Sequence, residues 1–234
     1  IATGDELISP GRQLKEGKIF DSNSYTIGAA VERYGGIPKI IGIAKDNMEH
    51  LRKKLLRGLD SDLIVTCAGV SKGDYDMVKD VLAEMGEVNF WSIRMRPAKP
   101  LAWGILKGGR RGGSTPHIGL PGNPVSALVA FEEFVRPAIL KMLGRKKLSK
   151  PTILAELEAP IYNYDGRRVY ARVNVTLVQG KYYAKPTGPQ GSNILTSMAR
   201  ANGLAICPED RSFLDKGHEV VVKMLEWNEE GKLD

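Results

Sequence analysis

Four short segments of the chain carry residue types suited to holding an anion and acting on it: Thr3-Gly4-Asp5-Glu6, Lys45-Asp46, the run Ala68-Gly69-Val70-Ser71-Lys72-Gly73-Asp74-Tyr75-Asp76, and Pro121-Gly122-Asn123-Pro124. In the third, Gly69 and Gly73 permit positive φ and close approach of the backbone. A loop of that kind entering a helix offers N–H groups and the positive end of the helix dipole, which suit a phosphate. The Ser71 hydroxyl can donate to the same anion. An ordinary tight strand-to-helix connection would use the same glycines, and the run is neither a Walker loop nor a GxGxxG fingerprint. The fourth segment makes a second helix start, with Asn123 placed to cap and Pro124 at the first helical position. Capping alone would also explain it, but two helix starts on one sheet edge strengthen the case for an anion site.

Cations and carboxylates accompany these loops. Asn89 to Arg96 alternates, with Trp91, Ile93 and Met95 on one face and Ser92, Arg94 and Arg96 on the other. Arg96 and Lys99 then fall at the end of a strand, ready for phosphate or another oxyanion, and arginine suits two-pronged oxyanion contact. Glu6, Asp46, Asp74 and Asp76 place carboxylates on the same edge. Acids beside a phosphate are unfavourable unless a cation bridges them, and Mg²⁺ held by few protein carboxylates is the usual solution. Helix capping is the plainer role for Asp46 and Asp76. His50, His117 and His218 are scattered, with no partners at metal-ligand spacing, and read as structural or surface residues.

The elements that must position these residues follow from the apolar periodicity. Ser24 to Tyr34 reads as a helix ended by Gly35-Gly36, and Ile37 to Ile43 as a strand. Asn47 to Leu59 puts Met48, Leu51, Leu55 and Leu59 on one helical face. Leu63 to Cys67 is a continuous apolar run, as in a parallel strand buried on both faces. Met77 to Met85 is helical, with Val78, Val81 and Leu82 inward. Strand, helix, strand in this order implies a parallel sheet with right-handed crossovers and the loops of interest at its carboxyl edge, where open α/β sheets bind ligands. Extended segments at Asn89–Met95 and Leu101–Leu106, a strand at His117–Leu120 and a long helix at Pro124–Leu143 complete residues 1–147 as one α/β unit.

The patterning then changes. Arg168 to Val178 alternates, with Val169, Ala171, Val173, Val175 and Leu177 on one face. Gln179-Gly180 turns the chain into a returning strand at Lys181–Lys185, and Leu204–Ile206 and Glu219–Leu225 add strands. Residues 151–234 read as a separate small β domain. Thr3–Glu6 looks like the loop after a first strand that has almost nothing before it, so the chain is expected to be part of a longer one.

The bulk properties bound the function classes. The 234 residues are 42% hydrophobic and 26% charged, with no apolar run long enough for a membrane span and no signal-peptide pattern at the start. Cys67 and Cys207 are the only cysteines, which fits a reducing cytoplasm rather than a disulfide framework. The net charge is +7 and the pI near 9.3. That charge is dispersed, its densest cluster (Arg145 to Lys150) lies in the linker, and no aromatic-basic stripe accompanies it. This points to small anions and a solvated basic surface rather than nucleic acid.

Five segments in order resemble one family. They are Thr-Gly-Asp-Glu-Leu at 3–7, Gly-Lys-Ile-Phe-Asp-Ser-Asn at 17–23, the Ala68–Asp76 run, Arg-Pro-Ala-Lys-Pro-Leu at 96–101, and Gly-Leu-Pro-Gly-Asn-Pro-Val-Ser at 119–126. Together they resemble the MoeA-type molybdopterin molybdotransferases, which include the E domain of gephyrin. Gly191–Leu195 and Ala201–Leu204 are similar to that family's C-terminal β domain. The resemblance implies a mostly parallel α/β sheet with helices on both faces, like the molybdopterin adenylyltransferases, followed by a small β-barrel-like domain. It implies adenylylated molybdopterin and molybdate (or tungstate) as substrates, Mg²⁺-dependent cleavage of the adenylate, and transfer of the metal to the pterin dithiolene. It further implies two N-terminal domains beyond this chain and a homodimer with a composite active site, so the chain alone is expected to bind weakly and turn over poorly.

Carried over residue by residue, Glu6, Asp46 and Asp76 match the family's functional acids, the last two as Mg²⁺ ligands. Gly69, Val70 and Ser71 match its phosphate loop, Lys99 the second lysine of a Lys-Pro-Gly-Lys-Pro motif, and Ser126 the serine after Pro-Gly-Asn-Pro, whose Gly122 and Asn123 join the binding set. Arg96, Ala98, Ala68 and Ser92 depart from the pattern, standing where the family has lysine, glycine, glycine and, in some members, lysine. A stand-alone adenylyltransferase shares the α/β loops but lacks the β domain. A gephyrin-like scaffold would keep the loops without the activity.

Overall fold

The structure, a computed structural model, describes residues 1–69, 75–109 and 112–226, and for Tyr75 and Asp76 the backbone alone. The chain divides into two compact units, Ile1–Ile93 with Ala98–Lys146, and Arg94–Pro97 with Lys147–Asp234.

The first unit runs β1 (Ala2–Thr3), β2 (Leu7–Ile8), β3 (Ile19–Phe20), α1 (Asn23–Arg33), β4 (Ile43–Ala44), α2 (Met48–Gly58), β5 (Ile64–Cys67), α3 (Tyr75–Met85) and β6 (Gly86–Ser92). The next strand, β7 (Met95–Arg96), belongs to the second unit, and the first resumes with β8 (Pro100–Lys107), β9 (Ser114–Leu120) and α4 (Pro124–Ala130), joined through a π-helical stretch, Phe131–Val135, to α5 (Arg136–Met142). The main sheet has the order β4-β1-β5-β9-β8-β6. Its first four strands are parallel and the last two antiparallel. The chain steps from β1 outward to β4, then back across to β5. With right-handed crossovers that reversal puts α1 and α2 on opposite faces, and α4 packs with α1 while α3 packs with α2. Leu51, Leu55, Val81, Leu82 and Leu106 form the fully buried heart of the α2–α3 layer.

Three sequence expectations change here. Of the Ile37–Ile43 run only Ile43 is in a strand, Ile43–Ala44, and Ile37 is 95% exposed. Gly42 has φ +90°, which breaks the extended conformation just upstream of the pairing residues. The Asn89–Met95 alternation does not continue as one strand. β6 ends at Ser92, the Ile93 N–H donates to the Lys99 carbonyl at 2.7 Å, and Met95–Arg96 pair instead with residues 168–169. The Pro124–Leu143 helix forms, but with the π-helical insertion that carries buried Glu132 inside the layer.

The second unit adds β10 (Thr152–Leu157), β11 (Ile161–Tyr162), β12 (Arg168–Val178), β13 (Lys181–Pro186), α6 (Leu195–Ala199), β14 (Gly203–Cys207), β15 (Phe213–Leu214) and β16 (Glu219–Met224). Strand order β13-β10-β16-β14-β12 closes on itself through β12–β13, giving a five-stranded barrel that leaves no free edge. Val169, Ala171, Val173 and Val175 fill its interior, as the alternation requires, while Leu177 is half exposed. Among the described residues no helix is long and apolar enough to cross a membrane.

Candidate functional site

The parallel strands β1, β4, β5 and β9 share one direction, so Gly4, Lys45, Ala68 and Pro121 leave the sheet at a common carboxyl edge. The chain order reverses between β1 and β5, the place where open α/β sheets bind ligands. Each loop is tied to its neighbour. The Gly4 N–H donates to the Ala44 carbonyl at 3.1 Å and the Ala68 N–H to the Leu120 carbonyl at 3.0 Å. The Asn23 side-chain amide, nearly buried at the start of α1, donates to the Gly122 carbonyl at 2.7 Å.

Two of the acids on this edge, Asp5 and Asp46, are held by backbone. The Asp5 N–H donates to Asp46 Oδ2 at 2.9 Å and the Asp46 N–H to Asp5 Oδ1 at 3.3 Å, a reciprocal clasp across 41 residues of chain. Asp46 therefore does not cap α2. Asn47 does, its Oδ1 accepting from the His50 N–H at 2.8 Å. Glu6 is exposed, and its carboxylate folds over Gly4 so closely that a Cβ there would lie 2.4 Å from Oε2. A Cβ on Gly4 would displace only the end of this exposed side chain, and the φ of +148° is the demand that favours glycine there. Gly69 has φ +75°, and a Cβ on it would lie 2.5 Å from a Val78 methyl, so the glycine that follows β5 is fixed by sterics. Ala68 adopts φ +73°, a conformation that suits glycine.

At the second helix start, Asn123 occupies the cap position with its carbonyl accepting from the Ala127 N–H at 2.9 Å, but its side chain makes no capping bond. Gly122 and Asn123 are exposed, whereas Ser126 is buried in the first turn of α4. Lys99 is exposed just before β8. Val70, Ser71 and Asp74 lie outside the described residues, as does the side chain of Asp76.

Arg96 belongs to the second unit, where it lines a cavity of about 330 Å³ with Arg172, Tyr162, Tyr164 and Gln190. Its guanidinium donates to the Tyr162 carbonyl, sits 5.9 Å from the centre of the Tyr164 ring and lies 3.7 Å from Asp165. Arg172 was not singled out by the sequence. It is 1% exposed, with Nε donating to Ser197 Oγ at 3.2 Å and Nη2 to the Gly191 carbonyl at 3.0 Å. No carboxylate among the described residues pairs with it. Burial draws its pKa down to about 10, still well above neutrality, so the side chain remains a buried cation. The period-two pattern of β12 assigns Arg172 to the solvent side. Residues 187–201 cover that side, and nothing local announces them.

Other chemistry-bearing residues are muted. Burial raises the Cys67 thiol to about 11 and lowers His117 to about 3, and His117 Nε2 lies 3.0 Å from Thr66 Oγ1 within the sheet. His50 and His218 each accept a backbone N–H through Nδ1. A largely apolar groove of about 380 Å³ lies at the amino ends of β1 and β5, away from the carboxyl edge.

Residues 1–141 match the family model described as a probable molybdopterin binding domain, and residues 155–225 match the MoeA C-terminal region (domain IV). A molybdopterin molybdenumtransferase from Nostoc sp. is 35% identical over 233 residues, covering 96% of this chain and 52% of that protein. Gephyrin from Dictyostelium discoideum is 32% identical over 251 residues, covering 94% of this chain and 35% of that protein. The crystal structure of a molybdopterin biosynthesis MoeA protein from Pyrococcus horikoshii aligns with a TM-score of 0.79 at 31% identity, covering 96% of this chain and 53% of that one. The chain spans about half the length of the molybdopterin molybdenumtransferases it matches.

Proposed function

The chain belongs to the molybdopterin-binding domain family, and from that premise we propose that it serves molybdenum cofactor biosynthesis by inserting molybdate into adenylylated molybdopterin as the adenylate is cleaved. The carboxyl edge of the first unit supports the pterin and nucleotide half of this reading. Backbone N–H groups at Gly69–Ser71 and the start of α4 at Gly122–Asn123 hold phosphate, and Glu6, Asp46 and Asp76 act on the phosphoanhydride. Among the described residues no cluster of three or more metal-ligating side chains is present. Mg²⁺ does not require one, because it is commonly held by one or two carboxylates with substrate phosphates and water completing the shell. The clasped, exposed Asp5 and Asp46 carboxylates are hard oxygen donors of that kind, with Asp76 as a further ligand implied by the family resemblance. A bound Mg²⁺ would neutralise charge developing on the leaving phosphate. Asp46 keeps its carboxylate aimed by accepting the Asp5 N–H, and Gly4 leaves room for Glu6.

The observation that carries molybdate handling, beyond nucleotide binding, is Arg172. A buried cation is costly unless an anion or dense hydrogen bonding meets it. This one faces a cavity with Arg96 and has no carboxylate partner among the described residues. Two arginines present the planar donor sets that suit a tetrahedral oxyanion. An adenylyltransferase reading leaves this pocket without a task. We assign the active form to a cytoplasmic homodimer on the family resemblance.

Titration of molybdate into the purified chain, with Arg172→Gln alongside, tests the pocket. The reading expects binding that Arg172→Gln weakens by about tenfold or more, as for loss of a hydrogen bond to a charged group. Equal affinity in both proteins would remove molybdate from this pocket. Turnover is measured with the chain joined behind the N-terminal half of the Nostoc relative, and absence of adenylate cleavage there would overturn the activity.

A further inference from the structure

On the β1–β4 side of the carboxyl edge lies a cavity of about 530 Å³, within the range that takes small molecules. Its lining includes Arg12, Lys18, Lys45 and His50, with Asp5 as the acidic member. Among the described residues Arg12, Lys18 and Lys45 form no ion pair. The sequence marks Thr3–Glu6 and Lys45–Asp46 as anion-holding segments but gives Arg12, Lys18 and His50 no part in one.

The fold builds the cavity rather than leaving it to flexible side chains. The short parallel pair β2–β3 closes the 9–18 loop at both ends, with the Ile19 N–H donating to the Glu6 carbonyl and the Asp21 N–H to the Ile8 carbonyl, each at 2.9 Å. Lys18 Nζ donates to the Asp5 carbonyl at 2.6 Å, which anchors its ammonium beside the loop that leaves β1. On the opposite wall, His50 Nδ1 accepts from the Lys45 N–H at 2.8 Å. In a neutral imidazole that bond leaves the proton on Nε2, so the ring presents a donor. The α2 N-terminus, capped by Asn47, adds its positive dipole end. Three cations and an N–H donor line the cavity with the Asp5 carboxylate, while Asp46, clasped to Asp5, Glu6 over Gly4 and Glu49 in the first turn of α2 are the acids beside it.

We propose that this cavity is a second anion position on the edge, one that takes a diphosphate-bearing ligand through Arg12, Lys18, Lys45 and His50 Nε2–H. Resting on the reading above, it takes one phosphate of the adenylylated pterin's anhydride on the β1–β4 side while the Gly69 and Gly122 loops take the other. Asp5 and Asp46 then stand between two anion positions, where a divalent cation would bridge protein and phosphate.

The experiment titrates inorganic pyrophosphate into the full chain, following the His50 ring nitrogens by NMR, with an Arg12→Gln/Lys45→Gln double variant and Arg12→Gln alone. Both positions are exposed and neither side chain forms an ion pair among the described residues, and circular dichroism checks that the fold is kept. The expected result is a shift of His50 Nε2 on binding and a Kd raised about tenfold or more in the double variant. An unmoved His50, or an unchanged Kd in the double variant, overturns the inference. The two readings fail separately. Pyrophosphate binding at His50 without adenylate cleavage in the joined protein would sink the activity and leave this site standing, whereas cleavage with unchanged KM in the double variant would sink the site and leave the activity.

Discussion

Replacing Ala68 with glycine should stabilise the first unit. Ala68 sits at φ +73° where the chain leaves β5 for the loop before α3, and the family that the sequence resembles carries glycine there. The left-handed conformation costs an L residue about 1–2 kcal/mol. Glycine returns about 0.5–1 kcal/mol of that through the greater freedom of the unfolded chain. The Ala68 methyl is only half-buried and points at Gly122, where an added Cβ would lie 3.2 Å from it, so its removal forfeits little packing. The net gain is about 0.5–1 kcal/mol, a rise in midpoint of about 2–4 °C per kcal/mol for a domain of this size. Calorimetry and urea unfolding would read it. Ala29→Gly is the matched control. Ala29 is exposed inside α1, where the same chemical change should cost about 1 kcal/mol. If Ala68→Gly lowered the midpoint as Ala29→Gly does, the strain attributed to this loop would be absent.

Gly69→Ala should do the reverse of Ala68→Gly, losing 2 kcal/mol or more (roughly, for strain plus a clash with Val78), and an unchanged urea midpoint would contradict the steric account. Asn47→Ala should cost about 1 kcal/mol of stability and leave adenylate cleavage intact, whereas Asp46→Asn should do the opposite; matched stability and activity profiles for the two would return Asp46 to a capping role. Stability should also fall with acid through His117. Its folded pKa, near 3, lies below the ordinary 6.5, so the unfolded state takes up the proton first as pH drops through 6.5. The loss at pH 5 relative to pH 7 is about 2 kcal/mol, and a His117→Gln protein should show a correspondingly flatter slope in unfolding titrations.

Where one face of an element meets water and the other a core, the residues announced it. β12 spans the bounds of its alternating run, although Leu177 on the inward face is half exposed and Arg172 on the outward face is covered, and α1, α2 and α3 begin and end within two residues of their periodic stretches. Failures came where a distant partner or a backbone angle decides. Ile37 to Ile41 has strand composition, but Gly42 at φ +90° keeps it out of the ladder. Met95 and Arg96 continue the β6 alternation in sequence, yet their hydrogen-bonding partners are Arg168 and Val169. Capping chemistry suits Asp46 and Asn47 equally well, and the choice is made by the Asp5 N–H, 41 residues away.

Arg172 and Asp46 share a logic that local rules miss. Each is a charged group whose position is set by main chain from another part of its own unit: Arg172 by the Gly191 carbonyl beneath the 187–201 segment, Asp46 by the Asp5 amide. Neither arrangement improves the element the residue sits in. Arg172 buries a cation in the wall of a barrel that an aliphatic side chain would fill at lower cost, and Asp46 leaves the capping position to its neighbour. Groups that violate local preference while being held firmly are the ones expected at functional sites, because stability alone would have replaced them. Arg172→Met therefore separates the two roles. If the arginine serves the barrel, the variant unfolds more readily. If it serves an oxyanion, the variant is as stable as the parent or more so, and molybdate no longer protects it against thermal unfolding.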